Sequence, residues 1–239
     1  MTKRTCRDVR HLAIHSSFVI RASSLRTSGA FTILELLVVI TIIIVLAGLI
    51  LSTVGYVQKK GARSRAEAEI AAMSAALESY KADNGIYPTD PTPNTATDAL
   101  NARATGDPNL AAYRIAGLVI YRALSGDRNL DRSVNNTDKS LDIDGSSLAT
   151  PLTDVPKTYF ALKPNQLSPT DQTQAVQFLR DPFGNSYGYS TAYAYDVAHN
   201  VNPPRGYNPT FDLWSTSGLT ANPPASPPDT ITPQWIKNW

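Results

Sequence analysis

Phe31 to Val54, FTILELLVVITIIIVLAGLILSTV, is a run of 24 residues with a single charge, Glu35. No proline interrupts the chain from there to Ile86. As a helix the run spans roughly 36 Å at about 1.5 Å per residue, which is enough to cross a bilayer. A secretory signal has a shorter apolar region with a small-residue cleavage site behind it. Here Ser52, Thr53 and Val54 lead straight into further helical sequence, so the segment is expected to stay in the mature chain.

Beyond the apolar run the helical period continues. Ala66, Ile70, Met73, Leu77 and Tyr80 follow steps of four and three and share one face, while Arg65, Glu67, Glu69 and Glu78 lie on the other. One helix is therefore predicted from about Thr32 to Asp83, roughly 78 Å long. Asn84 and Gly85 supply the stop, with Pro88 just beyond. Gly48, Gly55 and Gly61 are soft points along it, at about 1 kcal/mol each relative to alanine.

Charge is unevenly distributed. Residues 1–30 hold six basic residues (Lys3, Arg4, Arg7, Arg10, Arg21, Arg26) against Asp8, and the remainder holds 16 basic and 19 acidic residues. Positive charge before a membrane segment favours the cytoplasmic side, so the N-terminus is expected inside and the body outside. Lys59, Lys60, Arg63 and Arg65 oppose that bias more weakly. An acidic body gives no electrostatic basis for nucleic-acid binding. The one cysteine, Cys6, precedes the apolar run, and His199 is the only histidine after it. The body thus has no disulfide and no Ser/His or Cys/His centre that does not rest on His199 alone. No Gly-rich phosphate loop is present. The chain is not expected to be an enzyme.

Tyr87 to Ala104 reads as a loop. Asp107-Pro108 offers an N-cap with proline in the first turn, and a second amphipathic helix follows, stopping near Gly126. In the polar tract from Asp127 to Ser147, the Asp142-Ile143-Asp144-Gly145 piece is similar to part of a calcium loop but has no further ligands or closing glutamate at the required spacing. From Lys157 the period changes to two. Thr158 to Leu162, Ala175 to Leu179, Ser186 to Ala192 and Phe211 to Ser215 are predicted strands, with a turn at Asp181 to Asn185. Such a meander is too small to stand alone but could share a core with the Ala66 to Tyr80 face. Residues 222–234 carry five prolines and read as extended, with Trp235, Ile236 and Trp239 expected to anchor the tail. The predicted class is α+β: a long N-terminal helix, membrane-spanning in its first half, packed on a small antiparallel sheet head with an extra helix.

FTILELLVVITIIIVLAGLI, behind a basic leader and a small residue, closely resembles the N-terminal segment of type IV prepilins and type II secretion pseudopilins. ALESYKADNGIYPTD, LRDPFGNSYGYS and FDLWSTSG look like the corresponding parts of the major pseudopilin. The likeness covers 29–88 well and 179–218 in fragments. It implies four segments: a cleaved leader (1–30), a transmembrane helix (31–54), the soluble half of the long helix (55–85) and a periplasmic pilin-like head (86–239).

The resemblance also implies a mechanism. A prepilin peptidase would remove the leader on the cytoplasmic side and methylate the new amino terminus. Aligning Glu35 with the family acid puts the cut between Ala30 and Phe31, with alanine where glycine is usual, and makes Phe31 the methylated residue. A cut between Gly29 and Ala30 would restore the glycine but shift the acid by about 100° around the helix. An acid within the bilayer costs about 2.5–3.5 kcal/mol on insertion scales, so it calls for a partner. In the family mechanism Glu35 neutralises the Phe31 ammonium of a neighbouring subunit and sets register; alternatively it snorkels to the interface.

The implied partners are other copies of the chain and other pseudopilins in a filament, the peptidase, and an inner-membrane assembly platform with a cytoplasmic ATPase. The implied location is the inner membrane and then the pseudopilus. No cofactor is expected. The family's calcium loop would follow FDLWSTSG, where this chain has only Asp229 as an acid, so calcium is not carried over. A type IV pilus or DNA-uptake pilin is the neighbouring alternative, and a membrane-tethered periplasmic enzyme or binding protein the more distant one.

Overall fold

The computed structural model describes residues 32–92, 95–104, 106–219 and 234–239. The chain divides into two compact units, Met1–Ser52 and Thr53–Trp239. Helix α1, Ile33–Asn84, contributes to both. It ends where Gly85 takes φ +80° and donates its N–H to the Lys81 carbonyl at 2.7 Å. In the first unit its described side chains are all exposed, isoleucines and leucines included.

In the second unit α1 behaves as its periodicity predicts. Ala66, Ile70, Met73, Ala76 and Leu77 are buried in the main core. Facing them are Ile120, Tyr121 and Leu124 of α3 (Ala111–Ser125) and Leu179, Tyr187, Tyr189, Phe211 and Leu213 from the strand region. The strands form two small antiparallel sheets. Strand β1 (Leu167–Ser168) pairs with β2 (Phe178–Leu179). Strand β4 (Asp212–Ser215) lies between β3 (Gly188–Ser190) and β5 (Ile236–Lys237). The fold is α+β, as the sequence indicates.

Three local expectations are corrected. Thr158 to Leu162 is not a strand: the Tyr159 and Phe160 N–H groups donate to the Leu124 carbonyl and the Thr158 hydroxyl donates to the Ser125 carbonyl. Alternating apolar residues there satisfy the open end of α3 and pack on the core from outside it. Helix α3 begins at Ala111, one turn later than Asp107 suggests, because Asp107 Oδ1 accepts the Asn109 N–H and closes a separate turn. It stops at Gly126, whose φ of +84° and approach to the Pro156 carbonyl both exclude a side chain. Lastly, the loop after α1 contains a short helix, α2 (Ala96–Ala99). Its Thr97 and Asp98 are buried because Thr191, leading into α4 (Ala192–Ala198), donates its N–H to the Thr97 carbonyl and its hydroxyl to Asp98.

The tail is anchored as expected. Trp235 stacks on Trp214 with centroids 5.6 Å apart, and Trp239 stacks on Tyr207 at 4.9 Å. The proline-rich stretch that precedes it lies largely outside the described residues.

Candidate assembly site on the long helix

Gly29, Ala30 and Phe31 lie outside the described residues. The described part of the site begins at Thr32, which stands immediately before α1 and acts as its N-cap. The Thr32 N–H donates to Glu35 Oε2 at 3.0 Å and the Glu35 N–H donates to Thr32 Oγ1 at 3.2 Å. A third bond runs from the Thr32 hydroxyl to the same carboxylate oxygen at 3.2 Å. This reciprocal arrangement is a capping box, which satisfies two of the N–H groups that every helix start leaves open. The T-x-x-E spacing that produces it is visible in the sequence, yet Thr32 does not stand out when Glu35 is read only as a countercharge.

Around this polar start the surface is apolar. Ile33 and Leu34 are 86% and 71% exposed, and Leu36 to Leu46 continue the pattern. Helix α1 is long and apolar enough in this half to cross a membrane, and among the described residues none of the apolar window is buried. A surface of this size is unfavourable in water and fits burial in lipid or against other helices. Glu35 is the only charge on it. Its carboxylate sits in the first turn, where the helix dipole favours a negative group.

Two other features singled out from the sequence lie elsewhere. His199 follows the last turn of α4, stacked on Tyr195 at 4.0 Å, with Nδ1 2.8 Å from the Tyr195 carbonyl. Asp142 to Gly145 forms a tight turn held by its own bonds: the Gly145 N–H donates to the Asp142 carbonyl and the Ser146 N–H to Asp144 Oδ1.

The comparisons with known proteins converge on one description. The chain is 35% identical over 94 residues to the type II secretion system core protein G of Aeromonas hydrophila, covering 39% of this chain and 64% of that protein. It is 37% identical over 89 residues to the core protein G of Escherichia coli K12, covering 37% and 59%. For the core protein G of Pseudomonas aeruginosa the figures are 34% over 83 residues, 35% and 56%. The chain is similar to type II secretion core protein G. The likeness spans less than two thirds of each of these relatives' length. No protein-family profile matches the chain, and no solved structure matches it.

The residues this site needs are positioned by elementary means. Isoleucine, leucine and valine at every position from Leu36 to Ile40 leave the helix no polar face in that stretch, so its preferred surroundings are apolar all round. The capping box holds the only carboxylate at the very end of that surface.

Proposed function

We propose that this chain is a structural subunit of the pseudopilus of a type II secretion system, the system that its relatives' names give. The leader 1–30 is removed by a prepilin peptidase, Phe31 becomes the methylated amino terminus, and α1 anchors the subunit in the inner membrane. The N-terminus lies on the cytoplasmic side and the head, 86–239, in the periplasm. Copies of the chain, with other pseudopilins, then leave the membrane for a helical filament built on an assembly platform and driven by a separate cytoplasmic ATPase.

The observation that carries this reading is Glu35: a single carboxylate at the start of an otherwise apolar and fully exposed helix surface. A membrane anchor alone does not need it, because an acid in a membrane helix is disfavoured, by about 2.5–3.5 kcal/mol at the helix centre. Filament formation does, because a Phe31 ammonium on a neighbouring subunit would be stranded in an apolar core without a countercharge. In the separate subunit the capping box occupies the carboxylate, and addition to the filament exchanges the Thr32 donors for the neighbour's ammonium.

Mass spectrometry of the mature chain tests processing: methylated phenylalanine at residue 31 is expected, and an intact leader refutes the proposal. Glu35→Leu tests assembly. Cleavage should persist while filament yield collapses, and filaments of normal length from this variant would remove the register role.

A further inference from the structure

From just after α3 into a short 3₁₀ helix (Asn136–Ser140) the chain reads DRNLDRSVNNTD, residues 127–138. Oxygen-bearing side chains fall at Asp127, Asn129, Asp131, Ser133, Asn135 and Asp138, which are the first, third, fifth, seventh, ninth and twelfth residues of the stretch. This is the ligand spacing of a twelve-residue helix–loop–helix calcium loop. Two positions depart from the usual form. The sixth, normally glycine for a sharp turn, is Arg132, and it adopts φ +72° nonetheless. The twelfth is aspartate instead of glutamate. Asn135 also does what the ninth residue of such a loop does: it caps the following helix, accepting the Thr137 N–H at 2.8 Å, with Asp138 completing a capping box.

Spacing alone would not make a site. The second observation is Asp127. Its side chain is buried, only 1% exposed, and Oδ1 has no hydrogen-bond partner. The other oxygen, Oδ2, accepts the Tyr121 hydroxyl at 2.6 Å and the Arg132 N–H at 2.7 Å. A bare carboxylate oxygen away from water is among the more unfavourable groups a fold can hold. Burial pushes the Asp127 carboxyl up, the bonds from Tyr121 and Arg132 oppose this, and the negative charges of Asp131 and Asp138 add to it. None of the ion pairs among the described residues involves these three acids. The two arginines of the loop donate to main-chain carbonyls, Arg132 to those of Gln174 and Pro169 and Arg128 to that of Leu141.

We infer that residues 127–138 form a calcium-binding loop, with Asp127, Asn129, Asp131 and Asp138 supplying side-chain oxygens and Ser133 a backbone carbonyl. Among the described residues no three His, Cys, Asp or Glu side chains already converge as a metal site. Two of these five ligands are amide or main-chain oxygens, and the Asn129 and Asn135 amide nitrogens now donate to Asp131 Oδ2 at 2.9 and 3.3 Å. Binding turns the Asn129 amide to present its oxygen and draws the carboxylates inward. Calcium suits this better than magnesium, because it accepts six to eight oxygens in flexible geometry while magnesium demands a near-ideal octahedron. The loop is distinct from the segment after FDLWSTSG where the resemblance would place calcium. Its effect would reach further than the loop, since Leu130 packs on the main core and accepts the Val176 N–H. The inference does not depend on filament assembly.

The test uses the processed full-length chain in detergent micelles after chelator treatment. Terbium luminescence sensitised by Tyr121, then displaced by calcium chloride alone, reads the site directly. One calcium per chain is expected, with Kd about 10⁻⁵ to 10⁻³ M. Exposed Asp131→Ala should weaken binding about tenfold or more while leaving the metal-free circular dichroism and urea midpoint unchanged. Asp144→Ala, in the neighbouring turn, should bind as the parent does. The inference is overturned by no saturation at about 5 mM calcium, by Asp131→Ala binding as tightly as the parent, or by magnesium binding as tightly as calcium.

Discussion

Gly188→Ala is the most exacting test of the packing described above. Gly188 lies directly opposite Trp214 across the β3–β4 pair. A methyl group there would come within 2.2 Å of Trp214 Cε2 and 2.4 Å of Cζ2. Carbon atoms settle at about 3.5–4.0 Å, so ring or strand must retreat by more than about 1 Å. The ring has nowhere to go. It is fully buried, donates Nε1–H to the Tyr113 hydroxyl at 3.1 Å, stacks on Trp235 and meets Trp239 edge-on at 5.8 Å. Overpacking costs typically about 1–3 kcal/mol, and a ring held on so many sides places this variant at about 3 kcal/mol.

For a unit of this size that is a fall of roughly 6–12 °C in Tm. All three tryptophans of the chain belong to this cluster, so intrinsic fluorescence during urea and thermal unfolding of the full-length chain in micelles reports it directly. Gly61→Ala is the control: nothing lies within 4 Å of its added methyl, and alanine in a helix should stabilise by up to about 1 kcal/mol. If Gly188→Ala unfolds within about 0.5 kcal/mol of the parent, close packing against Trp214 is not what the position requires, and the argument fails.

The Asp196–Arg205 pair supplies another. Asp196 is fully buried and receives both the Arg205 backbone N–H and its guanidinium, at 2.6 Å in the closest contact. Arg205→Ala strands the carboxylate and should cost about 3 kcal/mol at pH 7. The Arg205 bonds hold the Asp196 carboxyl below its usual range, so the pair's contribution should be present above pH about 4 and fall away on further acidification. Asp212 behaves in the opposite sense: burial pushes it to about 6 despite N–H bonds from Tyr207 and Asn208. Its protonation therefore favours the fold below about pH 4 and ceases to as pH rises through about 6. The unfolding free-energy difference between the parent and Asp212→Asn should accordingly move toward the parent as pH falls from about 7 to about 4, and a flat difference refutes this. Tyr187→Phe removes the 2.7 Å bond to Glu69 that ties the β3 region to α1, with an expected loss of about 1.5–3 kcal/mol in urea unfolding.

Where the physics is local, the sequence was sufficient. An unbroken apolar run with no proline has few structures open to it other than a long helix, and the steps from Ala66 to Leu77 already name the face that the core covers. Gly126 as a helix stop and the turn at Asp181 to Asn185 follow from backbone sterics within a few residues. Glu35 stands out because it is the single charge in a 24-residue apolar run.

What required the tertiary structure is whatever depends on distant partners. Thr158 to Leu162 carries strand-like alternation, but its N–H groups are claimed by the end of α3, and no local pattern announces that competition. The calcium-like spacing of residues 127–138 is written in the chain, yet spacing is shared with ordinary polar loops. Only the folded chain shows Asp127 buried with one of its oxygens bare. Gly188 looks like a flaw in a short strand until Trp214 arrives from 26 residues further along. Helical period, turn chemistry and charge placement act over a few residues and can be read in order. Burial and partner choice are set by which distant segments meet, and that is decided only when the chain closes on itself.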